Sequence, residues 1–81
     1  MILTLLISDN CEACERAKKV LEKIHLNYPQ LSTEIIHINS YKGKGILITP
    51  ALLIDNKLFC YGDIDEVSLS KKLNRGSYAV H

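Results

Sequence analysis

Ile2-Leu3-Thr4-Leu5-Leu6-Ile7 is an almost unbroken apolar run. That is the pattern of a strand covered on both faces, since a strand with one wet face alternates apolar and polar residues. The period then changes. Ala13, Ala17, Val20, Leu21 and Ile24 fall on one helical stripe, with Glu15, Lys18, Lys19, Glu22 and Lys23 on the other side. This spacing predicts a strand over 2–7 and a helix over 11–26. Asn27-Tyr28-Pro29 ends that helix, because the residue before a proline is steered out of helical backbone. Glu34-Ile35-Ile36-His37-Ile38-Asn39 is short and rich in β-branched residues, a second strand. A helical crossover between the two makes them a parallel, right-handed pair.

Two glycines stand two apart in the 40–48 link, which discourages a full helix there and predicts a loop or a single turn. Ala51-Leu52-Leu53-Ile54 and Lys57-Leu58-Phe59-Cys60-Tyr61 flank Asp55-Asn56, two residues that tolerate positive φ, so this stretch reads as a β-hairpin. Asp63-Ile64-Asp65-Glu66 has the spacing of a capping box with an acidic cap. It opens a last helix to about residue 74, with Val67, Leu69 and Leu73 inward and Gly76 as the stop. Residues 75–81 are then a loose tail. The result is one α/β domain over 1–81 with no internal repeat or linker.

Length and charge narrow the function. A chain of 81 residues builds one modest core, and a net charge of +1 gives no reason to propose a nucleic-acid or membrane-surface partner. Three cysteines are an odd number, so they form no closed disulfide framework of the secreted type. The opening apolar run carries no basic leader or small-residue cleavage site, and no stretch approaches the roughly 20 apolar residues of a membrane span. A reducing, cytoplasmic setting and a monomeric state are the expectation.

The chemistry is concentrated at Cys11-Glu12-Ala13-Cys14, where the first strand hands over to the helix. Cysteines at i and i+3 in a first helical turn have Cα atoms roughly 5 Å apart, which a disulfide can bridge. At the helix start, unpaired N–H groups and the positive end of the macrodipole favour a thiolate at Cys11. Cys14, one turn in, is less exposed and suited to resolve a mixed disulfide. Ser8, Asp9 and Asn10 are all capping residue types, which leaves open which of them caps. Glu12 and Glu15 oppose a thiolate, while Arg16 offsets them in part.

With this order of elements and C-x-x-C at the first βα turn, the chain resembles the small thioredoxin/glutaredoxin-like proteins. Thr49-Pro50 directly before the hairpin strand, and the run Thr49-Pro50-Ala51-Leu52-Leu53-Ile54-Asp55-Asn56-Lys57, carry the resemblance over nearly the whole chain. It implies a minimal thioredoxin fold: a four-stranded mixed sheet (β-α-β-β-β-α) flanked by helices, with the second helix short or absent. It further implies that Cys11 is the nucleophile and Cys14 the resolving thiol. Pro50 would follow a cis peptide bond and pack against the disulfide, and the Thr49 backbone would pair with a substrate chain. The expected partners are protein disulfides, with a reductase or glutathione as electron donor, and no cofactor is needed. The motif interior is Glu-Ala, where thioredoxins carry Gly-Pro and glutaredoxins Pro-Tyr. The glutaredoxin glutathione motif is reduced to Tyr61-Gly62-Asp63.

The remaining candidates have plainer readings. Cys60 lies mid-strand as a small buried hydrophobe. His37 alternates with Ile36 and Ile38 and has no partner motif, and Lys42 and Lys44 read as solvated loop charges. Two alternatives stay open: a metal or iron–sulfur module using Cys11, Cys14 and either Cys60 or a dimer mate, and a redox-inactive interaction domain that pairs through an edge strand.

Overall fold

The computed structural model describes residues 1–43, 45, 46 and 48–78, with side chains through residue 74. The elements are β1 Ile2–Ile7, α1 Glu12–Asn27, β2 Ser32–His37, β3 Ala51–Ile54, β4 Lys57–Tyr61 and α2 Glu66–Tyr78. One mixed sheet runs β2-β1-β3-β4, with β1 parallel to β2 and antiparallel to β3. This is the minimal thioredoxin-type sheet that the motif order implies. Asp55 and Asn56 take positive φ at the tip of the β3–β4 hairpin, as a tight two-residue turn requires.

Strand β1 has neighbours on both edges, and the near-continuous apolar run is explained by what covers its faces. Leu3 and Leu5, with Leu52 and Ile54 of β3, pack under Ala17, Leu21 and Ile24 of α1 and Leu69 and Leu73 of α2. Leu6, Ala51 and Leu53 point the other way, where Ile36 of β2 packs beside them and Ile38, Tyr41 and Ile46 pack against them. Each fully buried Leu or Ile contributes about 1.5–3 kcal/mol, so these two layers supply most of the driving force. Thr4, the one polar residue in the run, is buried and donates its hydroxyl to Glu34 Oε1 at 2.8 Å. That bond avoids an unsatisfied buried polar atom.

Several boundaries differ from expectation. Strand β2 covers 32–37, not 34–39, because all six residues of β1 pair in register from Ile2↔Ser32 to Ile7↔His37. Ile38–Ser40 forms a single 3-10 turn, capped by the His37 side chain, whose Nδ1 accepts the Asn39 N–H at 3.2 Å. Beyond Ser40 the 40–48 link carries no helix among its described residues. The cap of α2 is Asp65, not Asp63: its carboxylate accepts from the Val67 N–H at 3.0 Å and the Ser68 hydroxyl at 2.9 Å. That shift turns Val67 outward, 63% exposed, and leaves Ile64, Leu69 and Leu73 in the core. Helix α2 also runs through Gly76 to Tyr78, so residues 75–78, expected in the tail, are helical. A glycine costs a helix about 1 kcal/mol and ends it only where the chain must turn left-handed. The rest of the expected tail, 79–81, lies outside the described residues.

Two stability predictions come from this packing. The Ser68 hydroxyl and the Val67 and Ser68 amides hold the Asp65 carboxyl below the ordinary carboxylate range. A carboxyl lowered in the folded state stabilises above its unfolded value, about 3.9, and that contribution is lost as pH falls through the folded value. Asp65→Ala should thus lower the thermal midpoint clearly near neutral pH and by much less in strong acid, measured by circular dichroism. Cys60 is half-buried against the helix-side core, and burial pushes its thiol pKa up, so it stays protonated at neutral pH. Cys60→Ala should cost about 1 kcal/mol in urea unfolding and leave any disulfide-exchange rate near wild type.

Candidate active site

The turn between β1 and α1 is built by three residues with three separate tasks. All three are capping types, yet none of them caps the helix. Ser8 Oγ lies 2.6 Å from Thr49 Oγ1, across 41 residues of chain. Asp9 Oδ1 lies 3.3 Å from His37 Nε2 at the end of β2. Asn10 adopts φ 54°, a left-handed conformation that asparagine tolerates better than most residues. The N-cap position falls to Cys11, in extended backbone, and its own sulfur accepts the Cys14 N–H at 3.0 Å.

That geometry gives the two sulfurs unequal roles. Cys11 is half-exposed, while Cys14 is 1% exposed on the inward stripe of α1. Ala13 and Val20 sit at the margins of that stripe, only half-buried. The Cα atoms of the pair are 5.1 Å apart and the sulfurs are at disulfide distance. A neutral sulfur accepts hydrogen bonds weakly, and a thiolate accepts them much better. The Cys14 amide and the helix terminus therefore both favour the charged form of Cys11 once the disulfide is opened. A cleft of about 530 Å³ lies beside Cys11, with Ser8, Asp9, Glu12, Glu15 and Lys18 in its wall. A second hollow of about 400 Å³ sits at the hairpin end around Met1, Asp55 and Leu58 and contains no cysteine.

A family model described as a thioredoxin domain matches residues 1–74. The chain belongs to the thioredoxin-domain family. No curated protein matches it. A thioredoxin domain with a cysteine pair at disulfide distance fits redox activity. The Thr49–Pro50 peptide bond is cis, Pro50 is buried, and its carbonyl accepts the Gly62 N–H at 2.7 Å. Ser8 joins Thr49 to the cysteine loop. Among the described residues no three His, Cys, Asp or Glu side chains assemble as a metal-ligand set, Cys60 included. Nor is any described helix long and apolar enough to cross a membrane.

Charge around the thioredoxin-domain site is organised by ion pairs, of which only the i,i+3 pair Glu15–Lys18 is visible in sequence spacing. Arg16 grips Asp63 with Nε and Nη2 at 2.9 and 3.3 Å, and its charge also acts on Glu12. The Arg16 hydrogen bond holds the Asp63 carboxyl below the carboxylate range, and Asp63 raises the Arg16 guanidinium in turn. Asp63 is thereby paired within its own chain. Glu15 is paired with Lys18 at 2.8 Å. Glu12 is left as the first-turn acid without an ion pair among the described residues. His37, which carried no partner motif, does have one in Asp9. The signal that finds this link is strand register: His37 ends β2 opposite Ile7, beside the turn that holds Asp9. Lys42 is exposed, as a solvated charge should be, and Lys44 lies outside the described residues.

Glu12 is therefore the charge to change. A carboxylate beside Cys11 disfavours its thiolate, and a less stable dithiol form means a lower reduction potential. Glu12→Gln should let the thiolate form at lower pH and raise the potential, with both effects shrinking at high salt because the site faces water. Thiolate absorbance titration and equilibration with glutathione measure the two. A thiolate forming at unchanged or higher pH would overturn this electrostatic account.

Proposed function

We propose that the protein is a thiol–disulfide oxidoreductase that reduces protein disulfides through Cys11 and Cys14. The observation that carries this reading is the asymmetry of the pair: an accessible sulfur serves as the cap of α1, with a buried sulfur one turn behind it. In the first step the Cys11 thiolate attacks one sulfur of a substrate disulfide, forming a mixed disulfide and releasing the other substrate sulfur as thiolate. In the second, Cys14 loses its proton and attacks the Cys11 sulfur. The remaining substrate thiolate departs and the Cys11–Cys14 disulfide closes. Two electrons have passed to the substrate, and the departing thiolates take up protons from water.

The approach of the substrate falls to Thr49 and Pro50. Among the described residues no backbone–backbone hydrogen bond uses the Thr49 N–H or C=O, which supports a role for both in pairing with an extended peptide. Pro50 contributes no N–H, and its buried ring fixes the backbone that follows Thr49. The chemistry needs no metal or organic cofactor. A reductase or glutathione returns the pair to its dithiol form, in a cytoplasm whose poise favours thiols. With Asp63 held by Arg16, the reading favours a protein reductase over a dedicated glutathione site.

Insulin reduction, driven by thioredoxin reductase and NADPH in one series and by glutathione in another, tests activity and donor together. Cys11→Ser should bring turnover to background. Cys14→Ser should accumulate mixed disulfides that mass spectrometry detects at Cys11. Normal turnover in Cys11→Ser would overturn the assignment, and an inactive wild type would favour an interaction domain.

A further inference from the structure

The β1–β3 ladder pairs Leu3 with Ile54, Thr4 with Leu53, Leu5 with Leu52 and Leu6 with Ala51. Continued in register, Ile7 would face Pro50 and Ser8 would face Thr49. The backbone ladder stops before that point, and Pro50, which has no N–H to donate, stands at its next position. The two chains are nevertheless held together one step further on. Ser8 Oγ and Thr49 Oγ1 are 2.6 Å apart and both residues are half-buried. Among the described residues this is the only side-chain hydrogen bond between the cysteine turn and the segment before Pro50. Ser8 is free to make it because the cap of α1 is the Cys11 sulfur.

We propose that Ser8 is a positioning residue for substrate. Its hydroxyl holds the Thr49 side chain in one rotamer, and so fixes the Thr49 backbone at a set offset from Cys11, three residues further along the same turn. A substrate strand that pairs with that backbone then arrives with its disulfide in line with the Cys11 sulfur. Ordering the edge in advance removes a cost otherwise met at each binding event. This inference rests on the oxidoreductase reading and on the pairing role given there to Thr49. Ser8 touches neither reacting sulfur in this account, and its effect passes entirely through Thr49.

The test compares wild type, Ser8→Ala and Ser8→Thr on two disulfides. Insulin offers a peptide backbone to pair with, and bis(2-hydroxyethyl) disulfide offers none. Ser8→Ala should raise KM for insulin about fivefold, the equivalent of one neutral hydrogen bond, with kcat changed by less than about twofold. Its rate on the small disulfide and its reduction potential should stay at wild-type values. Ser8→Thr, which keeps the hydroxyl, should restore KM. Three-bond couplings to the Thr49 methyl should report one rotamer in wild type and averaging in Ser8→Ala. An unchanged KM for insulin, an equal loss on both substrates, a shifted potential or a Thr49 rotamer that stays fixed would each overturn the positioning role while leaving the oxidoreductase reading intact. A wild type that reduces neither disulfide would overturn both.

Discussion

Strand β1 is hydrogen-bonded on both edges and buried on both faces, and the geometry of the cysteine turn is referred to it. Its register with β2 places His37 beside Asp9, and its register with β3 places Thr49 beside Ser8. The helix that follows is held by the same core through Ala17, Leu21 and Ile24. A turn between a buried strand and a packed helix has little freedom to move Cys11. This is what a nucleophile needs that must meet both an incoming disulfide and a resolving thiol.

Using the nucleophile as helix cap has an electrostatic meaning. An ordinary N-cap is a Ser, Thr, Asp or Asn oxygen that satisfies one orphan amide. Here sulfur does so, and its capping strength depends on its oxidation and protonation state. The helix start thereby favours the reduced, charged form of Cys11, while Glu12 beside it acts in the opposite direction. Arg16 and Lys18 make their direct contacts with Asp63 and Glu15, so only the more distant charge of Arg16 partly offsets that carboxylate. The balance between terminus and carboxylate is thus set in the first turn of α1.

Among the described residues the covering between β2 and β3 is minimal. A single 3-10 turn and an irregular link lay Ile38, Tyr41 and Ile46 over Leu6, Ala51 and Leu53. The far face is consequently sealed best at the redox end of β1, under Leu6. At the other end Ile2 and Leu58 remain nearly half exposed. The chain spends its few core residues where the cysteine turn has to be rigid.

Much of this was legible in residue order. The apolar run of β1, the helical stripe of α1, Asp55-Asn56 between two strand patterns, and Cys11-x-x-Cys14 at a strand-to-helix junction each declare themselves through local periodicity or turn chemistry. Local rules misjudged choices between equivalent candidates. Ser8, Asp9 and Asn10 all looked like caps, and Asp63 and Asp65 competed for the start of α2. Each choice was settled by a partner distant in sequence: Thr49 for Ser8, His37 for Asp9, Arg16 for Asp63. Periodicity reports which face of an element is apolar, because that depends on neighbours three or four residues away. It carries no information about which polar side chains meet across a sheet, because that depends on strand register and on the closing of loops tens of residues long. The cysteine pair was therefore written in the sequence, and the hydrogen bonds and ion pairs that hold and bias it exist only once the four strands have come together.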